Sequence, residues 1–281
     1  MNIQKKVWFV TGANKGLGAA IVKEALASGY QVVATARNAQ SAEKELGTHK
    51  QLLILSLDIT NDAQVREAVA VAIAKFGRID VLVNNAGYGL LGYFEEMSES
   101  SIRQQLETNV FGTMKITREV LPMMRKQGSG FVVVVSSTSG IKSVSGGSVY
   151  SASKFALEGW AEGMSIDMQQ FGIRFMLLEP GAFRTDFANE NASMQLPDLQ
   201  VDGYQEAREK LNDIFRKMNG QQSGDPAKLA KGLLRTVESG DAPLRLLISK
   251  AAIQAVDNYY KARISEFEKW KGVSIDSDFE N

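Results

Sequence analysis

The run Val7-Trp8-Phe9-Val10-Thr11-Gly12-Ala13-Asn14-Lys15-Gly16-Leu17-Gly18 sets four consecutive apolar residues almost directly against three glycines. Unbroken apolar character over strand length marks a strand buried on both faces, and the pattern from about residue 17 to 28 has helical period. The glycines therefore occupy a strand-to-helix turn. There they let the main chain approach an anion closely, while the free N–H groups and the dipole of the helix N-terminus attract it. The spacing is Gly-x3-Gly-x-Gly, which departs from the Gly-x-Gly-x-x-Gly of the commonest dinucleotide turn. A diphosphate is the anion that such a strand, turn and helix accommodate.

Beyond the turn the alternation continues. Apolar runs at 7–10, 31–36, 52–57, 81–83, 131–135, 174–178 and 244–248 are separated by amphipathic stretches. Apolar strands joined by crossover helices predict an α/β fold: a doubly wound parallel sheet of the Rossmann type, seven strands with helices on both faces. Ligands bind such sheets at the C-terminal ends of the strands, where strand order reverses. Gly12, Arg37, Asp58, Asn84, Ser137 and Pro180 follow the first six strands in turn. The 281 residues, 44% of them hydrophobic, suffice for a large core and are read as a single domain, 1–281. Within it, about 187–224 is placed to act as a substrate lid, about 243–281 forms a C-terminal strand–helix extension, and the acidic end at 276–280 reads as a frayed tail.

Tyr150-Ser151-Ala152-Ser153-Lys154 begins thirteen positions after Ser137. On a helix the phenol and the ammonium share one face. The ammonium favours phenolate, so the tyrosine is predicted to titrate below its ordinary value of about 10, towards neutrality, where it can exchange a proton with a substrate oxygen. Alone, such a pair is an ordinary exposed helix surface; its place after the fifth strand gives it meaning. Ser151-Ala152-Ser153-Lys154 also matches the Ser-x-x-Lys of penicillin-recognising hydrolases, but the partner motifs Ser-Asp-Asn and Lys-Thr-Gly are missing from the chain.

Taken with Asp58, Asn84-Asn85-Ala86-Gly87, Asn109 and Pro180-Gly181-x3-Thr185, these motifs resemble the short-chain dehydrogenase/reductase family over about residues 3–187. Tyr88-Gly89-Leu90-Leu91-Gly92, Ser153-Lys154-Phe155-Ala156-Leu157-Glu158-Gly159 and Glu179-Pro180-Gly181 are similar to the branch of 17β-hydroxysteroid and retinol dehydrogenases and related bacterial oxidoreductases. The resemblance implies a nicotinamide cofactor and interconversion of a carbonyl with its alcohol. It assigns Tyr150 as general acid/base, Ser137 as partner of the reacting oxygen, and Lys154 as the group that lowers the tyrosine pKa and binds the nicotinamide ribose. Asn109, expected in a helix, would support a water chain to that lysine. For the cofactor it implies Gly12, Asn14, Lys15, Gly16, Leu17 and Gly18 at the diphosphate. Arg37, Asp58 and Ile59 belong to the adenosine end, and Asn85, Ala86 and Gly87 lie between. Pro180, Gly181, Phe183 and Thr185 stand by the nicotinamide. Asp58 has a competing reading as a turn residue before Asn61.

Cofactor choice is read at the end of the second strand, Ala34-Thr35-Ala36-Arg37. NAD-binding folds carry an acid there for the ribose hydroxyls, whereas a basic residue accommodates the phosphate of NADP. Ala36 takes the acid's place, Arg37 follows, and Lys15 is a second cation within reach, so NADP(H) is preferred over NAD(H). Above the nicotinamide, Leu90, Leu91, Ile141, Val144, Phe183, Phe187 and Met194 are expected to join Ser137 and Tyr150 around a bulky hydrophobic ketone or aldehyde. The alternative is a non-catalytic nucleotide-binding sensor, which would not need Ser137, Tyr150 and Lys154.

Charge excludes other partners. Thirty-two basic and 32 acidic residues cancel, leaving no electrostatic footprint for nucleic acid. Without cysteine there is no thiol nucleophile, disulfide or thiolate zinc site, and no metal site is expected. His49 alone, in a polar loop, cannot supply a Ser-His-Asp relay elsewhere. Only four apolar residues follow Lys5-Lys6 before the turn, too few for a signal segment, so the chain is read as cytoplasmic with no membrane span. Family relatives suggest a homodimer or homotetramer.

Overall fold

The computed structural model describes residues 5–185, 187 and 193–279. Residues 188–192 of the expected lid and residue 280 of the expected tail lie outside the described residues. Seven strands form one all-parallel sheet: β1 (Val7–Thr11), β2 (Gln31–Ala36), β3 (Leu52–Ser56), β4 (Val81–Asn84), β6 (Gly130–Val135), β7 (Ile173–Pro180) and β9 (Arg245–Ile248). Their order is β3-β2-β1-β4-β6-β7-β9. The chain starts in the middle, winds out to β3, then returns to lay β4 beside β1. That reversal opens a crevice above the ends of β1 and β4.

Every second strand residue faces the same side, so both faces of the sheet must be apolar. Trp8 and Val10 enter a core with Ile21, Val22, Leu229 and Leu233, which belong to α1 (Gly16–Ala27) and α8 (Pro226–Glu238). On the same face, α2 (Ala39–Leu46) packs beside α1. Phe9 points the other way, into a core with Val69, Ile116, Val120 and Leu157. Those residues come from α3 (Asp62–Phe76), α5 (Thr113–Gln127) and α6 (Ser148–Met168). Capping sets where these helices begin. Asn61 Oδ1 accepts from Ala63 N at 3.0 Å and Gln64 N at 3.1 Å, and Asp225 Oδ1 accepts from Ala227 N at 2.9 Å with Pro226 next to it.

The seven expected strands are all present, with ends moved by a residue or two. Two features were not foreseen. β5 (Gly89–Leu90) and β8 (Met194–Gln195) pair as a separate two-residue ribbon, too short to show a period. After α4 (Glu99–Leu106), Glu107–Gly112 is one π-helical turn. The helix of the C-terminal extension, α9 (Lys250–Ile275), runs unbroken up to the acidic end. α7 (Gln205–Met218) lies within the segment expected as a lid. Among the described residues, no helix is long and apolar enough to cross a membrane.

Candidate active site

The glycine turn is pinned across the switch point. Thr11 Oγ1 accepts from Asn85 N and Ala86 N, both at 3.0 Å, and Asn85 Nδ2 donates to Thr11 O at 2.9 Å and Gly12 O at 3.0 Å. Side chains are excluded here. Gly12 has φ +64°, and a Cβ on it would stand 2.8 Å from Ala86 Cα. A Cβ on Gly18 would fall 2.5 Å from Asn85 Nδ2 and closer still to Gly12 O. Lys15 is the N-cap residue of α1 and its side chain does not bond the helix's first N–H groups, which are left to the turn. Bare backbone and an uncapped helix start fit the diphosphate of a dinucleotide.

A single cleft of about 560 Å³ runs from this turn to Tyr150. Gly12, Asn14, Lys15, Gly16, Leu17, Arg37, Asp58 and Ile59 line it. So do Asn85, Ala86, Gly87, Ser137, Tyr150, Lys154, Pro180, Gly181, Phe183 and Thr185, the last of them close against Gly16. Asp58 lines the cleft and also holds the turn before Asn61, its Oδ1 accepting from Thr60 N at 2.9 Å and Thr60 Oγ1 at 2.7 Å.

α6 carries Tyr150 and Lys154 on one face, each 7% exposed. The Lys154 Nζ stands 5.7 Å from the tyrosine ring centroid and donates to Val135 O at 2.8 Å, which ties it to the end of β6. Ser137, just past that strand, lines the cleft with Tyr150, and its Oγ accepts from Ser139 N at 3.0 Å. The expectation of a tyrosine near neutrality is corrected: burial pushes the phenol up to about 12, only partly opposed by the nearby Ser137 hydroxyl. Lys154 is instead the group brought down, to about 8, by burial, with the charge of Glu158 opposing. Spacing predicted the neighbours but not the desolvation that outweighs their attraction.

Four expected site residues do not line the cleft. Gly18 lies beneath the turn, where it permits close packing. Leu90 is 1% exposed and packs with Met97 and Val149. Ile141, next to the short 3₁₀ turn after Ser137, is buried as well. Asn109, in the π-helical turn rather than a regular helix, accepts from Tyr88 N at 3.1 Å and donates to Tyr88 O at 2.9 Å and Ser153 Oγ at 3.1 Å. It joins the loop after β4 to α6, and its direct partners do not include Lys154. Leu91, Val144, Phe187 and Met194 do face the cleft, Phe187 with its ring centroid 5.6 Å from that of Tyr150.

Sequence reasoning missed Tyr88, Gln104, Thr108, Phe215, Met218 and Gln222, all in the lining. Tyr88 had a signal, as it directly follows Asn-Asn-Ala-Gly. The α7 residues Phe215 and Met218 fall in the 187–224 segment expected as a lid, but nothing local singled them out from its other residues.

The model of the family described as short chain dehydrogenase matches residues 6–196. Oxidoreductase BOA17 of Botryotinia fuckeliana is 34% identical over 97% of this chain and 99% of its own length. Retinol dehydrogenase 8 of Bos taurus is 32% identical over 84% of this chain and 79% of its own. The crystal structure of a short-chain dehydrogenase from Streptomyces avermitilis superposes with a TM-score of 0.88 at 36% identity, covering 98% of this chain and all of that one. Glycine cradle, cleft and matched length agree: the chain belongs to the short-chain dehydrogenase family, whose members carry out NAD(P)-dependent oxidoreduction between CH–OH and carbonyl groups.

Proposed function

We propose that this protein interconverts a hydrophobic ketone or aldehyde with its alcohol, using NADP(H), with Tyr150 as general acid/base. The observation that carries the reading is that Ser137, Tyr150 and Lys154 line the same cleft as the glycine turn. The main chain of Gly12 to Leu17 and the start of α1 hold the diphosphate, and Lys15 and Arg37 hold the ribose phosphate, with Ala36 offering it no repelling carboxylate. Lys154 binds the nicotinamide ribose. A reduced nicotinamide bound there supplies hydride to the carbonyl carbon.

Ser137 Oγ orients the substrate oxygen beside the phenol. Titrating at about 12, Tyr150 keeps its proton throughout the physiological range and so is ready to donate it to that oxygen. For alcohol oxidation the phenol must be deprotonated, and the neighbouring Lys154 ammonium is the cation placed to favour that. Location in the cytoplasm and assembly as a homodimer or homotetramer belong to the same reading, supported by family resemblance.

Tyr150→Phe tests the reaction. Turnover with a panel of ketones and aldehydes should fall by about 100- to 10,000-fold, while NADPH binding, followed by cofactor fluorescence, holds near the wild-type value. Near-normal turnover by the variant would refute the assignment of the proton donor.

A further inference from the structure

One helical turn past Lys154, out of the cleft, lies a buried cluster of charge that the mechanism does not use. Glu158 of α6 is 7% exposed and Glu179 of β7 is 2% exposed. The two carboxyl groups stand within hydrogen-bond reach of each other, yet Oε1 of each is buried with no donor. Two carboxylates cannot bond each other, but a single proton on the pair lets one carboxyl group donate to the other. Arg245 of β9 donates from Nε to Glu158 Oε2 at 2.9 Å, lies 3.7 Å from Glu179 Oε1, and pairs through Nη2 with Glu162 on the rim. The closer guanidinium places the negative charge on Glu158 and the proton on Glu179.

We propose that Glu158 and Glu179 are positioning residues for Lys154, a carboxylate and a carboxylic acid sharing one proton, which together give the lysine one net negative counter-charge. The inference rests on the role of Lys154 in the proposed function. The charged groups that face the pair are Lys154 and Glu162 from α6 and Arg245 from β9; the residue after β6 is Ser136, a neutral hydroxyl whose Oγ is also without a partner. With the proton held, two cations meet two carboxylates. Without it a net negative charge is buried, which is the costly state. Consistent with this, burial first and the charge of Glu158 second push Glu179 up to about 7. Burial brings Lys154 down to about 8, and Glu158 acts to hold it up.

Two measurements test the pair, neither of which needs turnover. The first is thermal stability against pH. A carboxyl raised from about 4.5 in the unfolded chain to about 7 in the fold lends stability in full below the lower value and loses it as pH rises to the higher one. Glu179→Gln keeps a hydrogen-bonding amide and cannot ionise, so its Tm relative to wild type should climb between those two values and level off above. A difference that does not change with pH would overturn the shared proton. The second is the NADPH dissociation constant of Glu158→Gln from about pH 6 to about pH 10, a range that brackets the lysine. Loss of the counter-charge should move the alkaline weakening of binding down by about one pH unit, the low end of what a neighbouring opposite charge supplies. An unmoved limb in a folded variant would overturn the link to Lys154. If Glu158→Gln does not fold, Arg245→Gln keeps both acids and should extend the Glu179-dependent stability window to higher pH; an unchanged window would count against the pair.

Discussion

Tyr150 and Lys154 sit four residues apart on α6, yet their titration is set by what surrounds them rather than by each other. The same separation of position from environment applies to the cofactor cations. Arg37 follows β2 and acts on the Tyr88 hydroxyl, lowering a pKa that burial raises, so it reaches into the cleft beside a phenol that has no partner. If Lys15 and Arg37 hold the ribose phosphate, replacing both with Ala should cost NADPH about 1.5–3 kcal/mol per residue, roughly tenfold or more each in Kd, and cost NADH little. Fluorescence titration with the two cofactors measures this, and equal losses would show that neither side chain reads the phosphate. Chemistry-bearing residues were legible because the order Gly12, Asp58, Asn85, Ser137, Tyr150, Lys154 is fixed along the chain. The direction of the tyrosine shift was not, since desolvation depends on Phe187 and the strand ends that cover the ring.

At the scale of elements, the strands could be read because burial on both faces leaves no polar interruption. The π-helical turn was invisible: no residue type marks an extra residue in a helical turn, and its consequence, Asn109 facing the loop after β4, appears only when the two elements meet. The turn between β1 and α1 is closely constrained by contact. Gly18→Ala should strain it against Gly12 O and the Asn85 amide, losing about 1–3 kcal/mol of stability as overpacked sites do, and weaken NADPH through the displaced turn. Gly163 is also helical, but a Cβ on it meets nothing within 4 Å. Gly163→Ala should therefore gain up to about 1 kcal/mol. Comparing Tm and NADPH affinity of the two variants separates a steric requirement from general intolerance; similar behaviour would remove the special role of Gly18.

Across the whole molecule, the cleft draws its walls from segments far apart in sequence. Leu91 follows β5, Val144 follows β6, Phe183 and Phe187 follow β7, and Phe215 and Met218 come from α7. Such a pocket was only half legible: the strand-end residues could be placed by topology, whereas Leu90 and Ile141 were drawn into packing by neighbours that local pattern does not reveal. Leu91, Val144, Phe183, Phe187, Phe215 and Met218 give the wall apolar and aromatic patches near Tyr150 and Ser137, with Gln104, Thr108 and Gln222 as polar positions among them. Under the proposed function such patches suit bulky apolar carbonyl substrates, with each buried methylene improving binding by about 0.8 kcal/mol until the space is filled. Along a series of alkyl or aryl ketones, kcat/KM should rise with size and then level off, and acidic analogues of equal length should be poor. Phe187→Ala and Phe215→Ala should shift the optimum to larger members, because each opens the wall without touching the proton donor. Steady-state kinetics over the series reads both effects, and an optimum at short, charged carbonyl compounds in all three proteins would mean that these rings serve the core alone.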